Sequence, residues 1–113
     1  DTDGYDYVIT SQEQADELRV SDDSKSILVA CGSVYLSGIT AGTITIRNTT
    51  KIQLSNVTAK ALDISQGTAI SFTGVKADQL LIAGEKTEES SLQIDSETNI
   101  SKLELNGGQA VTL

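Results

Sequence analysis

The sequence contains no histidine, methionine, tryptophan or proline, and only one cysteine and one phenylalanine. Without histidine, Ser-His-Asp and Cys-His nucleophile arrangements are excluded, together with most zinc sites. Cys31 closes no internal disulfide and has no base to activate it, so it reads as a small corner residue rather than a reactive thiol. No phosphate-cradling glycine loop is present. The scattered single glycines and Gly107-Gly108 sit at positions that read as corners, where positive φ is needed. Positive charge is also scarce: 8 Lys+Arg stand against 16 Asp+Glu, and the net charge of -8 repels phosphate backbones and anionic headgroups. Nucleic acid and membrane surfaces are therefore not expected as partners. No apolar run reaches the roughly 18 residues of a membrane span, so membrane insertion is not expected either; residues 1–113 include no charged-then-apolar signal stretch, and a start at Asp1 is compatible with a signal peptide already removed. A chain of 113 residues that begins at Asp1 and lacks Met is expected to be one domain cut from something longer.

Ser and Thr are abundant, a composition that favours short extended segments, and the apolar residues repeat. Thr43 to Lys60 aligns without a gap on Ala61 to Asp78, pairing Ile44/Leu62, Ile46/Ile64, Ile52/Ile70, Leu54/Phe72, Val57/Val75 and Ala59/Ala77, each 18 residues apart. Val34, Leu36, Ile39 and Ala41 extend the series upstream, and Leu80 and Ile82 extend it downstream. Ile27 and Val29 lie only 17 residues before Ile44 and Ile46, so one residue is missing at the first corner. Leu92 and Ile94 lie 22 after Ile70 and Phe72, and the extra four residues fall in the charged stretch Glu85 to Glu89. Leu103 and Leu105 open a further turn, which Val111 and Leu113 begin to close.

Within each copy the apolar residues alternate at a spacing of two, the period of a strand with one buried face. Three short strands per copy, each stacked on its counterpart, describe an all-β fold: a parallel β-solenoid of about 18 residues per coil. A leucine-rich repeat is longer and follows its strand with an arc, and the hexapeptide helix needs apolar residues every six positions. A right-handed coil is expected from the preference of parallel crossovers. Residues 1–25 read as an amino-terminal cap on the coils of residues 26–113. The cap comprises a strand over Tyr5 to Thr10 and a short helix over Gln12 to Arg19, opened by Ser11 with Gln14 as a capping box. Ala15 and Leu18 would lie over the open end of the first coil.

Two outward ladders are the candidate sites. Leu28, Thr45, Asp63, Leu81 and Glu104 run along one face; Asp63 and Glu104, two rungs or about 10 Å apart, could act as the carboxylate pair of a polysaccharide-active enzyme, with Arg47 nearby. Tyr35, Gln53, Ser71 and Gln93 form a flat neutral ladder, the candidate binding face for a sugar or a protein, with a plain solvated strand face as the alternative. The acidic groups Asp1 to Asp3 with Asp6, and Asp22-Asp23, lack the spacing of a calcium loop, so no metal or cofactor is expected. Asn48, Asn56 and Asn99 open Asn-x-Ser/Thr triplets, which would accept glycans in a eukaryotic secreted chain, but the abundance of Ser and Thr and the preference of Asn for corners explain most of them.

The rhythm from Gly32 to Gly42 (GSVYLSGITAG), repeated as TKIQLSNVTAK from Thr50 and TAISFTGVKAD from Thr68, resembles the auto-transporter adhesin (head GIN) domains of bacterial surface proteins across residues 26–113. That resemblance implies an extracytoplasmic β-helix, secreted or at the cell surface, with a non-enzymatic spacer or adhesive role and no functional residue to carry over. The last coil lacks any cap, so its edge is a template for further strands. Further coils or a further domain are expected beyond residue 113, and an end-to-end homodimer is expected through residues 101–113.

Overall fold

The computed structural model describes residues 4–47, 49–65, 69–83 and 91–105. It is a parallel β-solenoid built from two sheets. Sheet A stacks β1 (Tyr7–Ile9), β2 (Ser26–Val29), β4 (Thr40–Ile46), β6 (Thr58–Ser65), β8 (Lys76–Ala83) and β10 (Asn99–Leu105) in that order. Sheet B stacks β3 (Ser33–Ser37), β5 (Lys51–Ser55), β7 (Ala69–Thr73) and β9 (Ser91–Ile94). The one helix among the described residues is α1 (Gln12–Glu17).

The register reproduces the repeat pair by pair: Ile44 sits on Leu62 and Leu62 on Leu80, Ile52 sits on Ile70, and Leu54 sits on Phe72. Ile27 meets Ile44 and Phe72 meets Ile94, which realises the short first corner and the four-residue insertion. The inserted stretch itself, the Gly107-Gly108 pair, Asn48 and the residues after Leu105 lie outside the described residues. From β2 to β8 the inward columns are buried almost completely and form one continuous core between the sheets, against which Ile94 and Ile100 pack partly buried.

Each coil holds two strands, not three. The segment expected as a third strand, Thr58-Ala59, runs on into the next as a single bent strand, β6, and Lys76-Ala77 does the same in β8. Ala59 and Leu62 both face inward three residues apart, so Lys60 and Ala61 must both turn outward, which bends the strand; pairing lapses at Lys60 and resumes at Ala61. The bend brings backbone close to the core, and three successive coils have alanine there, Ala41, Ala59 and Ala77, before Ile100 takes the position in β10. The second corner is a stack of left-handed residues at Gly38 (φ 69), Asn56 (φ 54) and Gly74 (φ 62), conformations that glycine and asparagine tolerate. Gly42 is different. It lies inside β4 and outside the positive-φ region, and glycine is needed there because any Cβ would stand 2.5 Å from the Asp23 carbonyl oxygen; the expectation that every glycine marks a corner is corrected at this residue.

The cap is itself a modified coil. β1 pairs with β2, Ser21 bridges to Thr40, and α1 packs on β3 where a sheet B strand would stand. Ala15 and Leu18 are buried as expected, but the helix stops at Glu17, where Leu18 turns extended and the Arg19 guanidinium donates to the carbonyls of Asp16 and Leu18. Ser11 caps the helix by accepting from the Gln14 amide, while the Gln14 side chain reaches back to the Thr10 amide, one residue earlier than a capping box requires.

Phe72 is the bulkiest fully buried side chain, stacked between Leu54 and Ile94. Phe72→Ala is expected to lower unfolding free energy by about 3 to 5 kcal/mol, and Val57→Ala by less, measured by chemical denaturation. Equal and negligible shifts would contradict this packing.

Candidate functional site

The outer face of sheet B carries the expected ladder. Tyr35 pairs with Gln53, Gln53 with Ser71, and Ser71 with Gln93, so four residues distant in sequence form one straight column. Alternation makes this unavoidable, since Val34, Leu36, Ile52, Leu54, Ile70 and Phe72 face the core and their neighbours must face water. Tyr35 is 45% exposed, a large apolar ring at the cap end of the column. Within these strands Lys51 is the one charged side chain among the described residues, and the carboxylate beside the column comes from the cap, where Asp16 borders Tyr35. Shallow depressions follow the column, one bordered by Gln12, Tyr35, Lys51 and Gln53, another by Lys51, Gln53, Ser71 and Gln93.

One residue that governs the end of this face is not apparent from the repeat. The Gln12 side chain accepts from the Tyr35 amide at 2.8 Å and donates to the Tyr35 carbonyl at 2.9 Å. It thus supplies both hydrogen bonds that a missing strand would make, while Asp16 accepts its second amide proton at 2.8 Å. The edge of β3 is closed by a side chain, and the Tyr35 backbone is fixed by it. Only the proximity of α1 to β3 reveals this, and local sequence carries no signal for it.

Sheet A places Asp63 and Glu104 on either side of Leu81 in one outward column, two rungs apart as expected. Arg47 does not join them. Its guanidinium donates to the Tyr5 hydroxyl at 2.9 Å and lies 5.7 Å from the centre of that ring. Tyr5 precedes β1 and Arg47 follows β4, so this clasp crosses the outer side of β2, where Leu28 stands. Leu28 and Thr45, expected as exposed ladder residues, are instead buried, Leu28 to 2% exposure.

The last described corner departs from its predecessors. Asp95 accepts from the Thr98 hydroxyl at 2.7 Å and from the Gly74 amide at 3.0 Å, and these bonds hold its carboxyl below the usual carboxylate range. The Thr98 hydroxyl in turn accepts from the Val75 amide, so one carboxylate and one hydroxyl tie the final corner to the coil before it. Asp22 is likewise lowered, by the Ser24 hydroxyl and amide. Burial pushes the Cys31 thiol up, away from the thiolate a nucleophile would need. Among the described residues no three Asp, Glu or Cys side chains converge as a metal site, and no helix is long and apolar enough to cross a membrane. Asn56 and Asn99 are both exposed.

No family model, curated protein or solved structure matches the chain.

Gln12→Ala is expected to cost about 1 to 2 kcal/mol and to speed hydrogen exchange at the Tyr35 amide, because two backbone hydrogen bonds are lost together. Gln12→Glu should recover less than half of this, since it cannot donate to the Tyr35 carbonyl and faces Asp16. The carboxyl of Asp95 has a second consequence: a group lowered in the folded state stabilises above its unfolded pKa of about 3.9, and this is lost as pH falls through the folded value. The thermal midpoint should therefore fall on acidification below about pH 4, and less steeply in Asp95→Asn, with Asp22 accounting for part of what remains.

Proposed function

We propose that the chain is a non-enzymatic β-solenoid module of a secreted or surface-anchored bacterial protein, which holds an adhesive face at a fixed distance from its anchor. The observation that carries this reading is the column Tyr35, Gln53, Ser71, Gln93, in register on strands that themselves carry no carboxylate. Its rungs recur about every 4.8 Å, close to the length of one sugar unit in an extended glycan. An exposed tyrosine ring offers a stacking surface, and the glutamine amides offer paired donors and acceptors for hydroxyl groups or peptide bonds. The resemblance of residues 26–113 to bacterial adhesin domains supports the same location and role.

Purified chain should be retained by a glycan or matrix-protein panel, and Tyr35→Ala and Gln53→Ala should each weaken retention about tenfold without changing the melting temperature. Retention that survives both substitutions would remove this face, and no retention at all by a folded chain would leave only the spacer role. Cleavage of a polysaccharide that disappears in Asp63→Ala would replace the reading with an enzymatic one.

A further inference from the structure

The last strand of sheet A among the described residues is β10, and the edge of that strand carries a pattern complementary to itself. Among the described residues no strand pairs with the side of β10 that faces away from β8. Its straight half, Lys102 to Leu105, stacks on Gln79 to Ile82. Thr43 and Arg47 donate their amides to the preceding coil, at Lys25 and Val29. The register carries the same alternation to Lys102 and Glu104. Leu103 therefore turns its N–H and C=O toward the open edge. Its side chain continues the inward column of Leu62 and Leu80, yet it is 41% exposed.

We infer that two copies of the chain associate by antiparallel pairing of their β10 edges about a twofold axis at Leu103. Alternation of faces allows the axis to fall on Lys102, Leu103 or Glu104. An axis on Lys102 sets two lysines opposite each other, and an axis on Glu104 sets two glutamates opposite; both arrangements repel. An axis on Leu103 places Lys102 opposite Glu104 of the second copy and Glu104 opposite Lys102 of the second copy. These fall at the closely spaced, non-hydrogen-bonded positions, about 4.5 Å between Cα atoms, while the two Leu103 residues exchange both backbone hydrogen bonds. The pairing covers the Leu103 side chains against each other, satisfies the open backbone groups and closes as a dimer. One sheet then runs through both molecules, and the two Tyr35 columns point to opposite ends.

Sedimentation equilibrium tests this directly. The unmodified chain should show a reversible monomer–dimer equilibrium that weakens with salt. Lys102→Glu or Glu104→Lys should each weaken it about tenfold, because either change faces like charges twice across the axis. The combined exchange, Lys102→Glu with Glu104→Lys, should restore it to within about threefold, since opposite charges meet again. Both side chains are exposed, so each variant should keep the circular dichroism of the solenoid. In the unmodified chain, exchange of the Leu103 amide should slow as concentration rises. A chain that stays monomeric at high concentration, a dimer indifferent to the single reversals, or one that the exchange fails to restore would overturn the inference.

Discussion

The structure depends on one constraint: each coil must lie in parallel register on the coil before it, so that like side chains stack and every strand finds its hydrogen-bond partners in a neighbouring turn. No single strand of four to eight residues is stable alone. Stacking turns the alternating residues of each strand into continuous columns, and full burial of one Ile, Leu or Phe contributes about 1.5 to 3 kcal/mol toward offsetting the ordering of the backbone. The Ile44, Leu62, Leu80 column and the Leu54, Phe72, Ile94 column are products of that register. Corners adapt to it as well. The left-handed stack at Gly38, Asn56 and Gly74 turns the chain at the same height in successive coils, and where the last corner is longer, Asp95 and Thr98 supply the missing bonds from side chains.

A solenoid solves its interior by repetition and must solve its ends individually. At the amino-terminal end the solution is mixed: β1 extends sheet A, Ser21 bridges to β4, and Gln12 imitates a strand over Tyr35. The Tyr5–Arg47 clasp then fastens the first coil across Leu28. These devices differ in chemistry but share a purpose, which is to leave few backbone donors or acceptors of the first rung without a partner.

The same repetition sets what the outer faces can do. Alternation forces every second residue outward whether or not it has a task, so an outward column acquires meaning only through its composition. The sheet B face combines an exposed aromatic ring with amides, hydroxyls and a single lysine, and it lies on rigid strands that hold those groups at fixed spacing. The sheet A face is divided: its first rungs, Leu28 and Thr45, are buried, and its acidic pair is separated by Leu81.

The sequence by itself determined the solenoid, the register and the outward columns, because the spacing of apolar residues is a direct record of which side chains stack. It determined the burial of Ala15 and Leu18 and the place of the four-residue insertion for the same reason. Tertiary structure alone decided the union of two expected strands into one bent strand at Lys60 and Ala61, since apolar spacing shows which residues face inward but not whether the ladder continues through a bend. It alone decided the close approach that requires Gly42, the use of Gln12 as a strand, and the contact of Tyr5 with Arg47. In each of these the partners lie about 20 to 40 residues apart, on different coils, and a contact fixed by how coils sit on one another leaves no periodic trace in the chain.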